Sequence, residues 1–193
     1  MSNIINERIN EIIAILSEVN LNCLQDIESS ANLITECFLS GGKILICGNG
    51  GSAADSQHFA AEFVSAFARD LDRKALPALA LTVDTSIITA FSNDFSFEKV
   101  FARQVEAHGR PGDVLIALTT SGSSNNCLEA VNQAQKLGLK TIAFTQVGGQ
   151  ISKMVDYSIE ISSNNTQHIQ ECHMVCYHII TELVEEALFR KEK

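Results

Sequence analysis

Basic residues are scarce in this chain: 14 Lys and Arg stand against 23 Asp and Glu in 193 residues, for a net charge of −9. Binding along a nucleic-acid backbone needs a basic face, so that class of partner is excluded. A phosphorylated metabolite stays open, because a local nest of backbone N–H groups can outweigh a distant acidic surface. There are only 2 prolines. With no low-complexity linker and no internal repeat, nothing marks a domain boundary. No apolar run approaches the roughly 20 residues of a membrane span. The stretch Met1 to Val19 interleaves acids with isoleucines and has no basic start, so it does not read as a secretory signal. The cysteines Cys23, Cys37, Cys47, Cys127, Cys172 and Cys176 lack the dense spacing of a disulfide scaffold. Most lie in apolar helical or strand contexts, which reads as reduced, buried thiols in a cytoplasmic protein. What remains, with 46% hydrophobic and 19% charged residues, is an ordinary folded chain long enough for one full core.

Two helical stripes come first, Ile5, Ile9, Ile12, Ile13, Leu16 and then Leu24, Ile27, Leu33, Ile34, Phe38, the second ended by Gly41-Gly42. Strand-like runs follow at 43–47, 77–83, 113–118, 140–145 and 157–161. Helical segments separate them at about 52–69, 85–107, 124–137 and, briefly, 149–155. A last helix is expected over about 167–189. Strands alternating with helices predict a doubly wound parallel five-stranded sheet behind an N-terminal helical hairpin. In such folds ligands sit beyond the carboxyl ends of the strands.

Two loops fall at that edge. Gly48-Asn49-Gly50-Gly51-Ser52-Ala53 links the first strand to a helix and points backbone N–H groups at whatever binds there. It can be read as G-x-G-x-x-A, but a dinucleotide site needs an acid about 20 positions on. Here the second strand ends only at Asp84, and the helix opens with Ser52 and Asp55, so that reading is set aside. The second loop, Thr119-Thr120-Ser121-Gly122-Ser123-Ser124-Asn125, holds more hydroxyls than a helix cap requires and suits a phosphate. His58 and Glu62, four residues apart, share one helix face as an acid/base or metal-binding pair. On the last helix, at about 100° per residue, His178 lies roughly 80° round from Gln170 and His173 about 60° the other way. These three are therefore expected on one broad face, with Cys172 and Cys176 opposite, in the core. Asn93-Asp94, between Phe91 and Phe95, reads as a polar pair at a helix break.

These motifs agree. Gly48–Asp55, His58-Phe59-Ala60-Ala61-Glu62, Ser92-Asn93-Asp94, Thr120-Ser121-Gly122 and Ile169-Gln170-Glu171-x-His173 closely resemble the phosphoheptose isomerases of the sugar-isomerase (SIS) fold, and the likeness covers almost the whole chain. The resemblance implies one SIS domain over 1–193, with helices at 1–40 and an α/β core at 43–193. It implies conversion of D-sedoheptulose 7-phosphate to D-glycero-D-manno-heptose 7-phosphate, toward the heptose of surface glycans such as lipopolysaccharide. It further implies a cytoplasmic homotetramer with sites between subunits and a zinc ion on His58, Glu62, Gln170 and His178. Sugar-phosphate contacts are implied for Asn49, Gly50, Gly51, Ser52, Glu62, Asn93, Asp94, Thr119, Thr120, Ser121, Ser124 and Gln170, with Glu62 and His178 as the catalytic pair. Aldose–ketose interconversion through an enediol requires such a base and acid. The chain departs from the pattern at Ser65-Ala66, where Gly-Arg is usual, so that a substrate-contacting arginine is either missing or supplied by Arg69, and at His168 and Ser123. Rival readings are a non-enzymatic SIS protein that associates with a replication initiator, and a module that senses sugar phosphates. Proteins of the first kind lack the equivalents of Glu62 and His178, and no DNA-binding domain accompanies the second.

Overall fold

A computed structural model describes residues 2–190. Helices α1 (Ser2–Asn22) and α2 (Leu24–Leu39) precede β1 (Ile44–Gly48), α3 (Gly51–Val64), β2 (Ala78–Ala80) and α4 (Thr85–Asp94). A 3-10 turn at Phe97–Lys99 leads into α5 (Val100–His108), followed by β3 (Val114–Leu118), α6 (Asn125–Lys136) and β4 (Lys140–Gln146). A second 3-10 turn, Gln150–Lys153, precedes β5 (Tyr157–Ile161) and α7 (Thr166–Phe189). The sheet is all-parallel in the order β2-β1-β3-β4-β5, the doubly wound arrangement expected.

Side-chain alternation along the buried strands feeds two cores. Ile44, Ile46, Val114, Ile116, Leu118, Ile142 and Phe144 face α1, α2, α3 and α7. Leu45, Cys47, Leu115, Ala117 and Ala143 face α4, α5 and α6. Because β1 is flanked by β2 on one side and β3 on the other, the winding reverses between β1 and β3. Gly48 pairs with Leu118 across that point, so the two loops of interest leave adjacent strands side by side. Gly48 itself is forced by packing: a Cβ there would lie 2.9 Å from the Leu118 carbonyl oxygen and 2.7 Å from that of Ser52.

The elements differ from expectation at three places. The edge strand β2 has three residues rather than seven. Helix α3 stops at Val64, not Arg69, because the Arg73 guanidinium donates to the carbonyl oxygens of Glu62 (2.8 Å) and Phe63 (2.9 Å), taking up helix-end acceptors. The span 85–107 breaks at Phe95, where φ −131°, ψ −83° leave helical space and Ser96 accepts the Glu98 N–H to start the 3-10 turn. All six cysteines are buried and free, as the sequence suggested.

Candidate active site

Helices α3 and α6 begin at the reversal point, on opposite faces of the sheet. Gly50 takes φ +58°, a left-handed value that favours glycine, and hands the chain to Gly51. A Cβ on Gly51 would meet the Gln170 carboxamide, so a larger residue here would have to push that side chain from its place beside α3. Neither α3 nor α6 has a side-chain N-cap, whereas Asp84 caps α4 through the Ile87 N–H and Asn165 caps α7 through the Gln167 N–H. The first N–H groups of α3 and α6 are thus left for another acceptor. Ser124 stands at the N-cap position of α6, but its hydroxyl accepts from Thr119 (3.1 Å) instead of from the helix. Thr119 is buried while Ser121 and Ser123 are exposed, with Ser123 Oγ donating to Ser121 Oγ at 3.2 Å.

About two turns into α3, His58 Nε2 and Glu62 Oε1 are 2.8 Å apart. His178 of α7 joins them, and the candidate ligand atoms of the three residues lie within 4.8 Å of one another. His178 Nε2 is buried and has no hydrogen-bond partner. Burial, and then the nearby His58, push His178 below the usual imidazole range despite the opposing pull of Glu62. At neutral pH it is therefore the uncharged ring, the form that ligates a metal or offers one N–H. An imidazole–carboxylate–imidazole set with an orphaned ring nitrogen fits a zinc-like ion.

Gln170 stands apart from this trio, at the start of α3, where its amide donates to Asp55 Oδ2 (3.0 Å). Burial raises the Asp55 carboxyl, opposed by that hydrogen bond and by His58. His173 does not share the site face. It is fully buried against the Phe144 ring (centroids 5.6 Å apart), and the broad face drawn from helix phase splits between sheet and site. Asn93 and Asp94 end α4, exposed and bonded to each other at 2.8 Å. The 3-10 turn after them meets α6 through Asn125 Nδ2 to Glu98 Oε1, 3.0 Å. Arg69 is exposed on the loop after α3.

Three contacts escaped the sequence reading. Tyr177, fully buried and stacked on Phe59, places its hydroxyl 3.0 Å from His58 Nδ1; its only signal was adjacency to His178. The buried Glu185 accepts from the Phe67 and Ala68 N–H groups (3.0 Å each) and pairs with Arg73, strapping the loop after α3 to α7. That strap sets the Phe67 ring 5.5 Å from His178. Glu185 lies seven residues beyond His178, a helical repeat that could have flagged it. The third is a buried amide pair between Asn126 and Asn49.

Two uncapped helix starts beside a His/Glu cluster, at the reversal point of a parallel sheet, make the ligand-binding edge of a doubly wound α/β protein. The SIS domain pattern matches residues 8–146. The phosphoheptose isomerase of Roseiflexus sp. is 52% identical over 162 residues, 83% of this chain and 81% of that protein. The solved phosphoheptose isomerase of Neisseria gonorrhoeae superposes with a TM-score of 0.90 at 38% identity, covering 96% of this chain and 98% of that one. That of Francisella tularensis gives 0.91 at 36% identity, covering 95% and 97%. The chain belongs to the SIS-domain family and, within it, to the phosphoheptose isomerases. It is thus an enzyme of the aldose–ketose isomerase class acting on a phosphosugar, and the non-enzymatic rival falls.

Proposed function

We propose that the enzyme converts D-sedoheptulose 7-phosphate to D-glycero-D-manno-heptose 7-phosphate through an enediol. The observation that carries this reading is the convergence of His58, Glu62 and His178 at the strand edge where the two uncapped helices begin. Glu62 takes a proton from C1 of the ketose and returns one to C2. His178 supplies a proton to O2 and accepts the one leaving O1, so the carbonyl moves to C1 with no net change. The phosphate sits in the Thr119–Ser124 loop against the start of α6, with Thr119, Thr120, Ser121 and Ser124 in reach. The sugar lies along Asn49–Ser52 toward Glu62, Asn93, Asp94 and Gln170. Zinc held by His58, Glu62 and His178, with Gln170 swung over from Asp55 to complete the set, would act as a Lewis acid toward the sugar oxygens.

We read the chain as one SIS domain at work in the cytoplasm, in surface-glycan heptose supply; no helix among the described residues is long and apolar enough to cross a membrane. A homotetramer is supported by apolar side chains left exposed at a spacing of four: Ile5, Ile9 and Ile13 on α1, and Val175, Ile179 and Leu183 on α7. The test is incubation with sedoheptulose 7-phosphate followed by NMR, with and without a chelator, beside a Glu62→Gln variant. Aldose should form with the wild type, and the variant should fold and bind but lose turnover. Full turnover by the variant sinks Glu62 as base, and the chelator arm separates a metal requirement from proton transfer.

A further inference from the structure

Asn126 is the second residue of α6 and only 3% exposed, yet its side chain does not serve its own helix. It faces Asn49, 77 positions earlier in the glycine turn after β1. Asn49 Nδ2 donates to Asn126 Oδ1 and Asn126 Nδ2 donates to Asn49 Oδ1, both at 2.8 Å. A reciprocal amide pair uses a donor and the acceptor of each residue. The other Asn49 N–H faces the buried Cys127 sulfur at 3.9 Å. The Asn49 side chain is therefore spent inside the protein, and what its turn offers outward is backbone.

Position gives the pair its consequence. The turn leads into α3, which packs on one face of the sheet, while Asn126 belongs to α6, which packs on the other. The two helices are joined to different strands and lie in different cores. Directly over the reversal point, this amide pair is a link between their first turns. Burying four polar amide atoms is favourable only while every partner is present. The pair consequently holds one separation between the N–H groups at the start of α3 and those at the start of α6.

We infer that Asn126 is a positioning residue for the isomerase: through Asn49 it fixes the glycine turn relative to the phosphate loop, so that both ends of one phosphosugar are met at once. The inference rests on the reading that these two loops hold the substrate. It is tested with Asn126→Leu, which keeps the branched shape but removes the amide, together with Asn49→Ala and the double variant. Sedoheptulose 7-phosphate kinetics, calorimetric binding of the same compound and thermal unfolding are measured for each. The expected result is a KM and a dissociation constant raised about 10-fold in Asn126→Leu, with kcat nearly kept. The double variant should be no worse than Asn49→Ala, because both substitutions break one contact. Should Asn126→Leu not fold, Asn126→Ala takes its place in the cycle. A lowered melting temperature with unchanged KM and binding would make the pair merely structural and overturn the inference, as would additive losses in the double variant. Wild-type protein that neither binds nor converts the compound would instead bring down the functional reading, and this inference with it.

Discussion

His173 and His178 stand five residues apart on the same helix and differ in almost every physical respect. His173 is fully buried against Phe144, and neither ring nitrogen has a hydrogen-bond partner. Burial pushes it down to about 4, so it spends neutral pH as a large uncharged filler. His178 is only partly buried, its ring centroid 5.1 Å from that of His58, and its ligand atom lies within 4.8 Å of those of His58 and Glu62. The lesson is that the same side chain becomes core or chemistry according to what the neighbouring element presents to it. Phe144 of β4 meets one ring, and the polar end of α3 meets the other.

The widest test of that contrast is activity. His178→Gln should lower kcat for sedoheptulose 7-phosphate by about 10²–10⁴-fold, whereas His173→Leu should leave turnover largely intact. Comparable losses in both variants would erase the distinction.

Acid stability should separate the pair in the opposite sense. The unfolded chain binds a proton at His173 near 6.5 and the folded one only near 4. Stability attached to this residue is thus complete above pH 6.5 and is lost as the pH falls toward 4, by on the order of 3 kcal/mol. Denaturant unfolding between pH 7 and 4 should show that extra loss in the wild type and not in His173→Leu. Parallel pH profiles would contradict it.

The smallest effect concerns Tyr177, which lies between the two histidines in sequence and touches the site through His58. Removing its hydroxyl in Tyr177→Phe leaves His58 Nδ1 without its partner. Outer-shell partners of this kind typically account for a factor of about 10 or more in metal affinity. Zinc titration by calorimetry should therefore weaken about tenfold, and equal affinity would show that the hydroxyl does not orient His58.

Much of this was legible in the chain. The two glycine and serine turns, the alternation of strands and helices, and the pairing of His58 with Glu62 follow from local rules, because a turn residue and an i,i+4 neighbour carry their geometry with them. The end of α3 was not legible. Phe63 and Phe67 continue a helical spacing to the eye, but the helix is stopped by Arg73, whose buried partner Glu185 lies more than a hundred residues away. Asn49 shows the same limit: its type suits a ligand contact, yet its amide is occupied by Asn126.

By itself, then, the sequence determined the order of elements, the parallel sheet and the carboxylate–imidazole pair on α3, since periodicity and short-range spacing depend only on the residues within a few turns. Helix phase left His173 and His178 on one broad face, and the tertiary structure decided that His178 meets His58 and Glu62 while His173 enters the core, that Gln170 turns to Asp55, and that an amide clasp joins the starts of α3 and α6. Helix phase fixes the direction in which a side chain points, and only the packing of distant segments decides what it meets there.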